Sequence, residues 1–395
     1  MALGICWGRR VSGSRRLECV EEVDDPRVVE ETMRLINEFM IRVERHRAVL
    51  LSESATPFDN AINALGNWLQ RVKAKIGEGN DEGIANLRRA MLDIGKEMLR
   101  LLKRARERWL STYRQELEEL INKLRSGGTK IIISGEPFDK DKSFTARLYT
   151  DGLAIEMARV AGSGSITMQI SLTGLRGINV VVPKLFSGNR LRAMQCGLLL
   201  TDGSIDEEGY PKMGTTQLWQ AIAWLTAWPG KNRMRISGLG INDGDVGVTW
   251  QLRATDHRGV FKSKSDVAEE AGRLGDEEFP TFTLYAVLGD GDVNIKKKRV
   301  GLTMGKSKLG LWRNAIKRLE GLGFRLGSDN GYAVAYTVWT SKAVELARKM
   351  LGDKTVKALI EDLAQLPDAE KPRRLMALAG MEPKHLAGHQ SRLPA

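Results

Sequence analysis

Apolar residues recur at steps of three and four from about residue 26 to residue 126, with interruptions at 52–57 and 77–83. That spacing gathers them on one helical face, so three helices are predicted. The last runs from caps at Asn80 and Asp81 to Gly127 and Gly128, and its stripe includes Leu87, Met91, Met98, Ala105, Trp109 and Leu117. Two packings are open for these helices: an antiparallel three-helix bundle, or a coiled coil between two chains.

From 129 to about 186 the period changes to two. Ile166, Met168, Ile170 and Leu172 alternate with Ser165, Thr167, Gln169 and Ser171. Five strands are predicted, at 130–134, 143–149, 153–160, 166–172 and 178–182, forming an antiparallel meander. After Asn189 one order of elements occurs twice. A helix over 190–201 ends in Asp202-Gly203; strands flank Glu208-Gly209; a helix over 216–228, strands over 233–241 and 246–254, and a helix over 263–273 follow. The second copy has a helix over 280–289 ending in Asp290-Gly291, strands over 293–297 and 300–304, and a helix over 307–322. Strands over 324–326 and 332–338 and a helix over 341–351 complete it. One more helix over 355–366, a weaker helical segment to Gly380 and a loose end are expected. The fold class is therefore α+β: an N-terminal helical bundle (1–127), a β meander (128–188), then two tandem α-β-β-α-β-β-α units (189–278 and 279–355) forming a pseudo-twofold saddle, and a C-terminal tail (356–395).

Charge gives this architecture a partner. The formal net charge is +12, and residues 291–350 hold 13 Lys or Arg against 4 Asp or Glu. A localised excess of this size favours a polyanion, either nucleic acid or an anionic membrane surface. No apolar run reaches the roughly 20 residues of a membrane helix, and the basic residues of 1–17 precede no apolar segment, so a soluble, cytoplasmic protein is expected. Cys6, Cys19 and Cys196 form no metal-binding pattern, and their scarcity fits a reducing compartment. The four histidines, at 46, 257, 385 and 389, are scattered. Zinc sites, histidine-dependent nuclease chemistry and serine or cysteine triads are therefore poorly supported.

Candidate chemistry rests on the two Asp-Gly helix ends. Alone, each is an ordinary turn pair, as Asp151-Gly152 and Asp243-Gly244 also are. An ionised Asp at a helix C-terminus, however, faces the negative end of the macrodipole and loses about 0.3–1 kcal/mol unless a cation compensates. Asp202 and Asp290 lie 88 positions apart at equivalent points of equivalent units. If the two helices pack side by side, the carboxylates meet and can hold a hard divalent cation. Small residues suited to close approach are Ala193, Cys196 and Gly197 in the first helix and Ala286 and Gly289 in the second. Lys296, Lys297, Lys298 and Arg299, with Lys306, Lys308 and Arg313 beyond them, are the nucleic-acid contacts expected of the second sheet. The first sheet offers Lys212, Arg233, Arg235 and Arg253, opposed by Asp206, Glu207, Glu208, Asp243 and Asp245. Trp219, Trp224, Trp228 and Trp312 are assigned to packing behind the sheets.

In these residues the stretch 189–355 resembles the LAGLIDADG homing endonucleases. Gly197, Leu198, Thr201, Asp202 and Gly203 match the motif in the first copy, and Gly289, Asp290 and Gly291 in the second, with Ala286 one place late for the expected small residue. Leu200 and Leu288 stand where an acidic residue is common, and Tyr285 where glycine would let the helices touch. The resemblance implies that Asp202 and Asp290 are catalytic and bind the metal, with Mg²⁺ as expected cofactor. It also implies a helix interface at Cys196, Gly197, Tyr285 and Ala286, and a monomer with internal twofold symmetry acting on double-stranded DNA. Lys354 is a candidate for the assisting basic residue. The whole chain is similar to the multicopy Pyrobaculum repeat proteins of hyperthermophilic archaea, which implies that a degenerate, inactive copy is one outcome. The alternatives are a non-catalytic nucleic-acid binder, either a transcriptional regulator or an RNA-splicing maturase-like protein, and a structural protein assembled, for example as a dimer, through its N-terminal helices.

Overall fold

The computed structural model describes residues 4–11, 16–78 and 80–381; the loose end expected after Gly380 lies beyond Met381, outside the described residues. The chain is mixed α/β, with one large mixed sheet and one small antiparallel sheet. It divides into two units. The first comprises Met1–Asn63, Met98–Ile178 and Arg235–Trp250, and the second Ala64–Glu97, Asn179–Met234 and Gln251–Ala395.

In the first unit the expected meander is present for four strands, Lys130–Gly135, Phe144–Tyr149, Leu153–Arg159 and Ile166–Leu172, each antiparallel to the next. Leu153–Arg159 alternates strictly between core and half-exposed positions, which fixes which face packs inward. The strand Ile166–Leu172 then pairs with residues 238–240, and Ile178–Val182 leaves the meander to pair with Gly230–Ile241. Helix Pro26–Arg45 is capped by Asp25, which accepts from the Arg27 N–H at 2.9 Å, and lies on Phe144–Tyr149 and Leu153–Arg159. Leu35, Ile36, Phe39 and Val43 form its buried stripe. Strands Gly4–Arg10 and Leu17–Glu22 precede the span read as helix but lie within the domain 1–127 assigned to the helical bundle, and Gly4–Arg10 runs parallel to Lys130–Gly135, which makes the sheet mixed. Cys6 and Cys19, on these strands, are joined by a disulfide. The cysteines therefore do not by themselves point to a reducing compartment, since one pair is oxidised.

The second unit holds most of the repeated elements. Helices Gly188–Leu200, Leu218–Ala227 and Lys264–Arg273 belong to the first copy, and Phe279–Asp290, Leu309–Gly321 and Thr340–Met350 to the second. The second copy's strands lie in the spatial order Gly291–Asn294, Arg299–Gly305, Ala333–Trp339, Arg325–Asp329, and every pair is antiparallel. The first copy's strands lie in the spatial order Gly203–Ile205, Pro211–Thr215, Val246–Ala254, Gly230–Ile241. Both copies thus place their first, second, fourth and third strands side by side. Trp219, Trp224, Trp228 and Trp312 are all buried, in keeping with their packing role. Helix Lys354–Leu363 is fixed through Asp362, which is fully buried and paired with Arg88 at 2.9 Å and Lys75 at 2.6 Å. Helix Glu370–Leu378 packs against strand Gly291–Asn294. Among the described residues, no helix is long and apolar enough to cross a membrane.

Candidate functional site

Two buried helices set the site. Gly188–Leu200 starts at Ser187, whose hydroxyl accepts from the Arg190 N–H at 3.3 Å, and every residue from 193 to 200 is buried. Phe279–Asp290 carries Pro280 in its first turn, where a missing N–H costs nothing, and is buried from Thr281 through Leu288. Such all-round burial is the mark of a helix packed on every side. The two helices lie against each other. Gly197 makes the approach possible: a Cβ there would stand 2.6 Å from Tyr285 Cβ and 2.8 Å from the Phe282 carbonyl oxygen. The tyrosine is therefore accommodated in the crossing, because Gly197 leaves the notch that its Cβ enters. Cys196 and Ala286 are buried on the same helices.

The crossing brings the helix ends together. A Cβ on Gly289 would lie 2.7 Å from Thr201 Cβ and 2.9 Å from Asp202 Oδ2, so the Asp202 carboxylate abuts the residue that precedes Asp290. Burial, followed by the Asp202 charge, pushes the Asp290 carboxyl above the usual carboxylate range; Lys308, Lys264 and Lys371 act in the opposite direction. Like charges placed together in this way are the usual reason to expect a function, because stability alone would not select them.

Three further side chains complete the cluster. Buried Gln220, from helix Leu218–Ala227, donates to Asp202 Oδ2 while its Oε1 accepts from the Thr215 hydroxyl at 2.5 Å. Lys264, first residue of its helix, reaches the Thr201 carbonyl at 3.3 Å and the Leu200 carbonyl at 3.5 Å. Lys371, from helix Glu370–Leu378, donates to the Gly289 carbonyl. Each motif helix thus ends on a lysine ammonium, the charge that its macrodipole favours there. Burial lowers both ammonium pKa values; Lys308 adds to this for Lys264, and Asp290 and Asp202 oppose it for both. Sequence reasoning missed Gln220, Lys264 and Lys371, although the macrodipole argument called for a cation at each helix end.

The remaining expected contacts are distributed more widely. Lys296, Lys297 and Lys298 form an exposed hairpin turn, closed by the Lys297 N–H on Asn294 Oδ1 at 2.9 Å and the Lys298 N–H on the Ile295 carbonyl at 3.1 Å. Arg299 is held by Asp292 and lies 5.3 Å from the ring centre of exposed Trp339. Lys306 pairs with Asp329 at 2.8 Å, and Arg313 is exposed on helix Leu309–Gly321. Of this group, Lys308 acts on Asp290, in the direction opposite to burial. Arg253 is bound to Asp206 at 2.7 Å and Glu208 at 2.9 Å and stacks on Tyr210, so these acidic residues are neutralised internally. Asp243 is likewise paired, with Arg45 at 2.9 Å. Arg235 is half-exposed, two residues from exposed Arg233 on the same strand. Lys354 pairs with Asp81 at 2.6 Å.

Two neighbouring carboxylates, with the Asp202 charge acting on Asp290, suit a hard cation that takes oxygen ligands. Among the described residues no third His, Cys, Asp or Glu joins them, so water or phosphate oxygens would supply the remaining ligands. No protein-family model matches this chain, and no curated protein matches it.

Proposed function

We propose that the chain binds duplex DNA across its two tandem units, arranged as a pseudo-twofold saddle, and hydrolyses phosphodiester bonds in the manner of the LAGLIDADG homing endonucleases. The supporting observation is the close crossing at Gly197, which sets Asp202 beside the residue that precedes Asp290. In this reading Asp202 and Asp290 hold Mg²⁺, which supplies an activated water and stabilises the leaving oxygen when bound. Gln220 holds the Asp202 carboxylate in one orientation. Lys264, Lys308 and Lys371 balance the negative charge of a phosphate at the pair. The exposed Lys296–Lys298 turn and the Arg313 helix contact the flanking backbone, which positions the duplex without reading its sequence. Base readout falls to the solvent face of the small sheet, where Thr303 and Trp339 are exposed.

A second reading keeps the DNA partner and drops the chemistry. Lys264 and Lys371 place an ammonium on both helix ends, which suits a binding protein built on a nuclease scaffold. Titration of a random duplex by fluorescence anisotropy, at about 50 and about 200 mM salt, tests what the two readings share. Affinity should fall by about 10³–10⁵ between these conditions if six to ten phosphates are contacted. Salt-independent or absent binding excludes both readings, and preference for an RNA hairpin of equal length moves the partner to RNA.

A further inference from the structure

The second copy's last helix does not cap its motif helix. In the first copy the cation comes from within: Lys264 opens that copy's last helix and caps Gly188–Leu200 through the Thr201 carbonyl. The equivalent helix of the second copy, Thr340–Met350, sends Lys342 toward Gly323 and pairs Lys349 with Glu345 at 3.2 Å. Lys308, from within the second copy, acts on Asp290, but the ammonium bonded to the helix-end carbonyl comes from helix Glu370–Leu378, beyond both repeats, where Lys371 donates to the Gly289 carbonyl.

That lysine is held in place on two sides. Helix Glu370–Leu378 packs on strand Gly291–Asn294, which directly follows Asp290. Three residues earlier, Asp368 accepts from the Leu218 N–H at the start of the helix that carries Gln220, the residue bonded to Asp202. The segment 368–371 therefore touches the supports of both carboxylates. Lys371 is half-buried at a point where Asp202, Asp290 and Asp292 all act on it.

We propose that Lys371 is a tethered counter-cation for the Asp202–Asp290 pair: a positioning residue that holds the two carboxylates together when no divalent cation is present. The proposal rests on the reading of Asp202 and Asp290 as a cation-binding pair and adds to it a residue from outside the repeats. A divalent cation would then do, more strongly, what the ammonium already does. Removing the ammonium should leave two like charges less well balanced, a loss that Mg²⁺ can make good and that disappears when the carboxylates are neutralised.

Thermal unfolding of the full chain tests this in a double-mutant cycle. The proteins are the native chain, Lys371→Met, the Asp202→Asn, Asp290→Asn double variant and the triple variant, each in EDTA and in excess Mg²⁺. In EDTA, Lys371→Met should lower Tm by about 2–4 °C in the native background. In the Asp→Asn background it should lower Tm by less than half as much or raise it. Mg²⁺ should raise the Tm of Lys371→Met more than that of the native chain, and Lys371→Arg should behave as native. Equal Tm losses in both backgrounds in EDTA would overturn the proposal and leave Lys371 as a packing residue. If Mg²⁺ raises no Tm at all, the metal-binding reading fails, while the cycle in EDTA still decides the role of Lys371. Should Lys371→Met fail to fold, Lys371→Gln removes the same charge and keeps a donor for the Gly289 carbonyl.

Discussion

Gly197 lies directly beneath Tyr285, and a Cβ at Gly197 would approach the Tyr285 Cβ to 2.6 Å. This contact determines how closely the two motif helices cross, and therefore whether Asp202 and Asp290 share a site. In an open helix Gly→Ala stabilises by about 1 kcal/mol. At this position the sign should reverse: Gly197→Ala is expected to destabilise by about 1–2 kcal/mol, because the Phe282 carbonyl and the Ala286 N–H are backbone and cannot move aside. The shift in the urea midpoint checks this, and a stabilised variant would show that the helices do not pack as described.

Asp290 has a cost that depends on pH. Its folded pKa lies above the ordinary value of 3.8, through burial and then the Asp202 charge, with Lys308, Lys264 and Lys371 opposing. Between 3.8 and the raised value, the native state holds a proton that the unfolded chain has released. Stability contributed by the neutral form is thus lost as pH rises through that window. Asp290→Asn should therefore raise Tm at pH 7 and lose that advantage below about pH 4. Thermal unfolding across the pH range would show it, and a gain that is the same at every pH would assign the effect to something other than ionisation.

Lys298 adopts φ = 43°, a left-handed conformation that favours glycine. A lysine there carries a backbone cost that glycine would not. Lys298→Gly should leave stability unchanged or raise it by up to about 1 kcal/mol. It should also weaken duplex binding and reduce the salt slope by about 0.9 for a single lost phosphate contact. Unchanged affinity would return the hairpin to the role of a solvated turn.

Asp362 is fully buried between Arg88 and Lys75, and the Trp68 Nε1–H donates to its carbonyl at 2.7 Å. Asp362→Ala leaves a nearly buried guanidinium without its partner and should cost about 3–5 kcal/mol. Chemical denaturation measures this, and a loss below about 1 kcal/mol would mean that water reaches Arg88.

Periodicity made much of this chain readable. The stripe through Met91, Met98, Trp109 and Leu117 predicts a long buried helix, and these side chains are buried. The order of elements in each copy and the Asp-Gly helix ends were also visible, because both are local signals. Partners distant in sequence were not. Lys264 lies 63 residues from Thr201, Lys371 lies 82 residues from Gly289, and neither has a neighbouring residue that marks its destination. Strand Gly4–Arg10 lacks a clean alternation, since Ile5 and Cys6 are buried in succession, and it is defined by pairing with Lys130–Gly135 far along the chain. Tyr285 misled for the opposite reason: its size argued against close packing, and the missing side chain that accommodates it belongs to Gly197 on the other helix.

The most direct test of a shared carboxylate site is nicking of supercoiled plasmid by the full chain with Mg²⁺ and with EDTA, beside the Asp202→Asn, Asp290→Asn variant. Metal-dependent nicking by the native chain and its loss in the variant, with duplex binding retained, are the expected results. Nicking that survives in the variant, or that proceeds equally in EDTA, would contradict it.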